Sequence, residues 1–132
     1  MKLLVLALMA FVSFSGLASE HKMNHHGMKV EKDNKARQSL ESGAKEQFLS
    51  VLKVNESLHG AFFKYDAKSV DKYSKEMQQA LKNIKSEKVL KLLKGTEKYL
   101  GKVTAAQSQK NNNHMYSLVS KKLLTVLHTF DF

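Results

Sequence analysis

No cysteine and no proline occur in this chain of 132 residues, and Arg37 is its only arginine. Without cysteine there are no disulfides, no thiolate metal ligands and no thiol nucleophiles. An unstapled domain of this size must hold together by packing alone, which a helical bundle does well. Without proline, no helix is interrupted by a residue lacking its N–H. Alternating strand patterns are missing as well. The scarcity of arginine bears on partners. Base readers and phosphate clamps favour the guanidinium fork, whereas lysine is mostly a solvated point charge. Nucleic-acid binding is therefore not expected, despite a net charge of +10. There is also no Gly-rich phosphate loop, His-Glu-x-x-His pair or nucleophile elbow, and the carboxylates mostly alternate with lysine as on solvated faces. The chain does not read as an enzyme.

The one long apolar run, Leu3–Val12, follows Lys2 and precedes Ser13, Ser15, Gly16 and Ala18. That is the layout of a secretory signal peptide over residues 1–18, cut between Ala18 and Ser19. The run is too short and wrongly flanked for a membrane span, so the processed protein is expected to be soluble, without stable membrane insertion, in a periplasmic or secreted location. Cleavage removes one lysine, lowering the net charge from +10 to +9, and leaves 114 residues for one domain.

Residues 19–35 form a polar tail without helical apolar spacing, expected to be flexible. It opens with Ser19-Glu20-His21-Lys22-Met23-Asn24-His25-His26-Gly27-Met28. Imidazole nitrogen suits Cu(II), and thioether sulfur suits Cu(I). A free amine on Ser19, two backbone amide nitrogens (through Glu20) and the third-position imidazole of His21 make a square-planar nitrogen set preferred by Cu(II) and Ni(II). Met23, His25, His26 and Met28 offer a second, softer set for Cu(I) or Ag(I). Both sets are local in sequence and need no fold to assemble them. Incidental histidines in a solvated tail are the competing reading, because a His-rich tract is a compositional pointer only.

Beyond the tail, apolar residues recur at three- and four-residue steps, predicting four helices packed as an all-α, up-down-up-down bundle over residues 36–132. Helix 1 is expected from Ala36 to Lys64 with an Asp33 or Asn34 cap, although Gly43 leaves a start after Ser42 open. Helix 2 should span Ala67–Lys85 behind an Asp66 cap, and helix 3 Glu87–Gln107. Gly95 and Gly101 weaken helix 3 and mark either a bend or a close neighbour. Ser108–Asn113 reads as a loop whose asparagines cap helix 4, His114–Thr129. Antiparallel packing would bring His59 to the same end as His114 and Met115, a possible folded copper or zinc site, though a lone helix histidine is more often exposed or hydrogen-bonded. His128 falls at the other end. Met77 is expected as core filler, and Asn55 needs a partner if buried.

Leu52-Lys53-Val54-Asn55-Glu56-Ser57-Leu58, then Tyr65-Asp66 opening a helix through Ala80-Leu81, resemble a helical domain of unknown function. It is found in extracytoplasmic proteins of copper and heavy-metal efflux systems, sometimes fused to the adaptor subunit of cation efflux pumps. The resemblance covers Phe48–Lys85 and His114–Phe130 and rests mostly on helix spacing plus one Asp cap. It implies the helical fold and a metal context, with an efflux-pump component as a possible partner. Relatives continue into a Cys-Pro-Met-like metal motif that has no counterpart here, so that function is either absent or taken over by the N-terminal tail. Copper buffering or delivery is the expected function. A zinc or nickel protein, or a basic module docking an acidic partner with no metal role, are the alternatives. Oligomeric state is not indicated.

Overall fold

The computed structural model describes residues 36–132, which belong to one compact unit running from residue 35 to 132. The signal peptide, the tail and the Asp33 or Asn34 cap lie outside the described residues. The described part is all-α: α1 (Ser42–Phe63), α2 (Ala67–Lys82), α3 (Glu87–Leu92), α4 (Thr96–Gly101) and α5 (Gln109–Thr129). The only bridge among the described residues pairs Gln38 with Phe130 in parallel.

α1 begins at Ser42, six residues later than Ala36. The segment before it is extended: the Gln38 N–H donates to the Thr129 carbonyl at 2.8 Å, and the Asp131 N–H donates to the Gln38 carbonyl at 3.0 Å. The segment leading into α1 is therefore hydrogen-bonded to the end of α5, and Leu40 enters the core from extended chain. Within α1, Ala44, Phe48, Val51, Leu52, Asn55 and Leu58 form the buried face. A short turn follows, in which the Asp66 N–H donates to the Ala61 carbonyl at 3.0 Å. Asp66 then caps α2 as expected, its carboxylate accepting from the Ser69 N–H at 3.2 Å and from the Ser69 hydroxyl. α2 buries Val70, Ser74, Met77 and Leu81 at four-, three- and four-residue steps. It packs along α1 and against α4. It stops at Lys82 rather than Lys85, because the Lys85 N–H turns to the Gln47 side-chain oxygen of α1, 3.0 Å away.

The third expected helix is broken. α3 ends at Leu92, Gly95 takes a left-handed φ of 89°, and α4 runs only from Thr96 to Gly101. The break lets Val89 and Leu93, then Thr96 and Leu100, each reach the core. After Gly101 the chain leaves the helix expected to reach Gln107, and Ala106 is exposed. Of the two glycines, Gly95 is the bend. A methyl group added at Gly101 would meet only the Gln78 amide at 3.8 Å.

α5 starts at Gln109, five residues before His114, and its cap is Ser108 rather than an asparagine: the Ser108 hydroxyl accepts from the Asn111 N–H at 3.2 Å. Asn112 thus lies inside the helix, in register with Tyr116, Val119, Leu123 and Val126 on the buried face. α5 packs against both α3 and α4. The core it closes includes Phe48, Val51, Leu58, Val70, Met77, Leu100 and Phe130.

Gly95→Ala should lower stability by about 1 kcal/mol or more, because an L-residue is strained at that φ. Gly101→Ala should be neutral or stabilising, because its backbone is helical and the space is open. Urea unfolding of the two variants checks this; equal destabilisation would show that Gly95 is not the hinge described.

Candidate metal centre and the buried polar clusters

Ser19, Glu20, His21, Met23, His25, His26 and Met28 all lie outside the described residues. The structure speaks only to the histidines of the helical unit. The C-terminal end of α1 does meet the start of α5. The Phe62 ring stacks on Tyr116 with centroids 4.5 Å apart and planes 9° from parallel. The Asn112 amide also donates to the Tyr65 hydroxyl at 2.9 Å. His59, on α1, is half-buried, and Met115 packs against the core from a partly buried position. His114 is exposed. It precedes Tyr116 by two residues, about 200° round the helix at 100° per residue, so it faces away from the side that Tyr116 turns toward α1. The structure therefore brings the two helix ends together without turning His114 toward His59. His128 is exposed. Among the described residues, no group of three or more His, Cys, Asp or Glu side chains is placed to hold a metal ion. Glu56 and His59 have the Glu-x-x-His spacing of carboxylate-bridged metal helices, but among the described residues no further carboxylate or histidine completes such a group.

Where the helix ends meet, the chemistry is that of satisfied buried amides and phenols. The Tyr116 hydroxyl donates to the Asn55 side-chain oxygen at 2.9 Å. Burial pushes this phenol up to about 12, against smaller opposing effects of hydrogen bonds with Ser120 and Asn55. Tyr116 therefore stays a neutral donor and is no candidate for a base or metal ligand at ordinary pH. Asn112 is fully buried. Besides its bond to Tyr65, it donates to the Thr104 carbonyl at 2.8 Å and accepts from the Thr104 N–H at 3.2 Å. The need of Asn55 for a partner is legible in the sequence; that Tyr116 supplies it, and that Asn112 belongs to the helix and not to a loop, is not.

An open cleft of about 490 Å³ lies at the other end of α1, lined by Leu40, Glu41, Gly43, Gln47, Lys85 and Lys88 among others. Its charged groups are of both signs, and it holds no histidine. No helix among the described residues is long and apolar enough to cross a membrane. No family model, no curated protein and no solved structure matches this chain.

Two outcomes follow from these contacts. Tyr116→Phe should cost about 1–2 kcal/mol by leaving the Asn55 oxygen without its donor, and Tyr116→Phe/Asn55→Leu should cost less than the single changes added together. A double-mutant cycle by chemical denaturation measures the coupling; additivity would mean that the bond contributes nothing. Burial holds the pKa of His59 below its usual 6.5. The unfolded chain therefore takes up the proton first as pH falls, and the contribution of neutral His59 to stability, complete above that value, is lost below it. His59→Gln should flatten the stability profile on the acid side of pH 6.5 and leave the slope at pH 8 unchanged.

Proposed function

We propose that this is an exported copper-binding protein that buffers the metal or delivers it to an efflux or resistance system, with no catalytic role of its own. The observation that carries the reading is the gathering of His21, Met23, His25, His26 and Met28 within ten residues after a signal-peptide pattern. In the proposed mechanism, cleavage after Ala18 frees the Ser19 amine. Cu(II) takes that amine, two amide nitrogens and His21, while Cu(I) takes the thioethers of Met23 and Met28 with His25 or His26. The ligands are local, so the helical unit is their carrier. In this reading it is an up-down-up-down bundle in which α3 and α4 together fill the third position, and the metal does not call on His59, His114 or Met115. The resemblance of Leu52–Leu58 and Tyr65–Leu81 to the helical domain of metal-efflux proteins supports the context, with a pump component as the natural recipient. Zinc or nickel binding by the same histidines is the alternative, favoured if nitrogen donors alone prove to matter.

N-terminal sequencing of the exported protein should return Ser-Glu-His. Titration of that material with Cu(II), Cu(I), Zn(II) and Ni(II) should then show Cu(II) lost in His21→Ala. The variant Met23→Ala/His25→Ala/His26→Ala/Met28→Ala should lose Cu(I) while keeping Cu(II). A different N-terminus, or binding no tighter than ~1 µM for every metal, would overturn the proposal.

A further inference from the structure

The outer side of α3 and α4 carries cations that the fold does not use. Lys88, Lys91, Lys94, Lys98 and Lys102 are all exposed. Among the described residues ion pairs form only on α2, Lys75–Asp71 at 2.6 Å and Lys72–Glu76 at 3.9 Å. None of the five lysines has such a partner, although Glu87 and Glu97 lie in the same stretch. Helix phase turns Lys91 and Lys98 outward. Val89 and Thr96 are buried, and Lys91 and Lys98, each two residues on, fall about 200° round. The left-handed Gly95 joins the two short helices so that both turn apolar sides to the core and lysines outward. Leu90 is 43% exposed, and an open hollow of about 240 Å³ lies between it and Leu81, Leu93, Lys94 and Glu97.

We propose that this face binds the anionic headgroups of a lipid bilayer, holding the protein at a membrane surface without inserting a helix. A row of unpaired like charges repels itself and is relieved by a diffuse negative surface. Lysine suits that role: its compact charge on a flexible stem follows a field, whereas forked recognition of one carboxylate or phosphate calls for arginine. An acidic polypeptide laid into the hollow beside Leu90 would meet the carboxylate of Glu97. Single-stranded nucleic acid would need exposed aromatic rings for stacking, and the one large hydrophobic side chain exposed on this face is Leu90. An aliphatic side chain among lysines can enter the interface while the lysines keep to the headgroups. This inference is independent of the metal reading.

The helical unit has its own core, so the chain from Ser19 onward is a fair test object. It is to be sedimented with phosphatidylcholine vesicles with and without about one-third phosphatidylglycerol, at low salt and at about 0.5 M salt. Binding is expected only to the anionic vesicles and should be released by the high salt. Lys91→Glu/Lys94→Glu/Lys98→Glu should weaken it roughly a hundredfold or more, at about fivefold per lysine lost from the surface. Lys53→Glu/Lys64→Glu/Lys121→Glu, with the same net charge, should retain most of it, and Leu90→Ser should weaken it severalfold. Circular dichroism establishes that each variant is folded. No binding to anionic vesicles, equal loss in the two triple variants, or tighter binding to polyglutamate or RNA than to vesicles would each overturn the proposal.

Discussion

Tyr116 ties the last helix to the first. Its phenol reaches Asn55 across 61 residues of sequence, and its ring lies flat on Phe62 one and a half to two turns further along α1. In a chain without disulfides, contacts of this separation carry the main chain-entropy cost of closing the fold. They must also specify register, which apolar packing alone does weakly. A buried amide beside a buried phenol meets that need, because any slip of α5 along α1 leaves both groups unpaired at a cost of about 1–3 kcal/mol each. Apolar positions such as Leu58 and Val119 tolerate a shift far better. The pair thus converts a general tendency to collapse into one arrangement of α1 against α5.

Ser74, Asn112, Asp71 and Gln47 follow a common logic: long helices supply hydrogen bonds to backbone that short elements cannot satisfy themselves. Ser74 on α2 donates to the Leu100 carbonyl at 2.8 Å, near the end of α4. Asn112 on α5 holds both backbone groups of Thr104, and Asp71 on α2 accepts from the Ala105 N–H at 3.4 Å. Gln47 on α1 does the same for Lys85. Helices of six residues are far below the length that is stable alone. α3, α4 and the loop after them exist because Val89, Leu93, Leu100 and Val103 are buried and because neighbouring helices bond their exposed backbone ends.

These borrowed hydrogen bonds also mark where the sequence stopped being legible. α2 could be read almost entire, since Asp66 announces its start and Val70, Met77 and Leu81 keep strict helical spacing. The break at Gly95 could not. A glycine in a helical pattern signals weakness, but whether the chain bends there depends on where Leu93 and Leu100 must go, which is a tertiary matter. Asn111, Asn112 and Asn113 read as loop because asparagine competes for backbone groups outside helices. Here that competition is exploited, as Asn112 sits in the helix and offers its amide to Thr104. The sequence leaves the start of α1 between Ala36 and Ser42 because Leu40 continues the apolar spacing; what decides for Ser42 is that the Gln38 backbone is committed to Thr129 and Asp131. For the candidate site, meeting of the ends of α1 and α5 could be inferred from antiparallel order. The outward direction of His114 was also accessible, from its phase against the apolar stripe.

The two short helices frame a distinction between residues that fold the protein and residues that do not. Helix propensity cannot justify the surface of α3 and α4, because six residues gain almost nothing from it. Pair formation does not justify it either: Glu87 stands four residues before Lys91, the favourable order for a helical ion pair, and the two do not join. On α2 the lysines at 72 and 75 are matched with carboxylates at the same spacing. Once Val89, Leu93, Thr96 and Leu100 are buried, stability leaves positions 88, 91, 94, 98 and 102 essentially free, and neutral or acidic residues there would relieve repulsion. Lysine at every one of them is therefore a cost to the isolated fold. The membrane contact proposed above would offset that cost, because a bilayer of anionic headgroups carries the opposite charge.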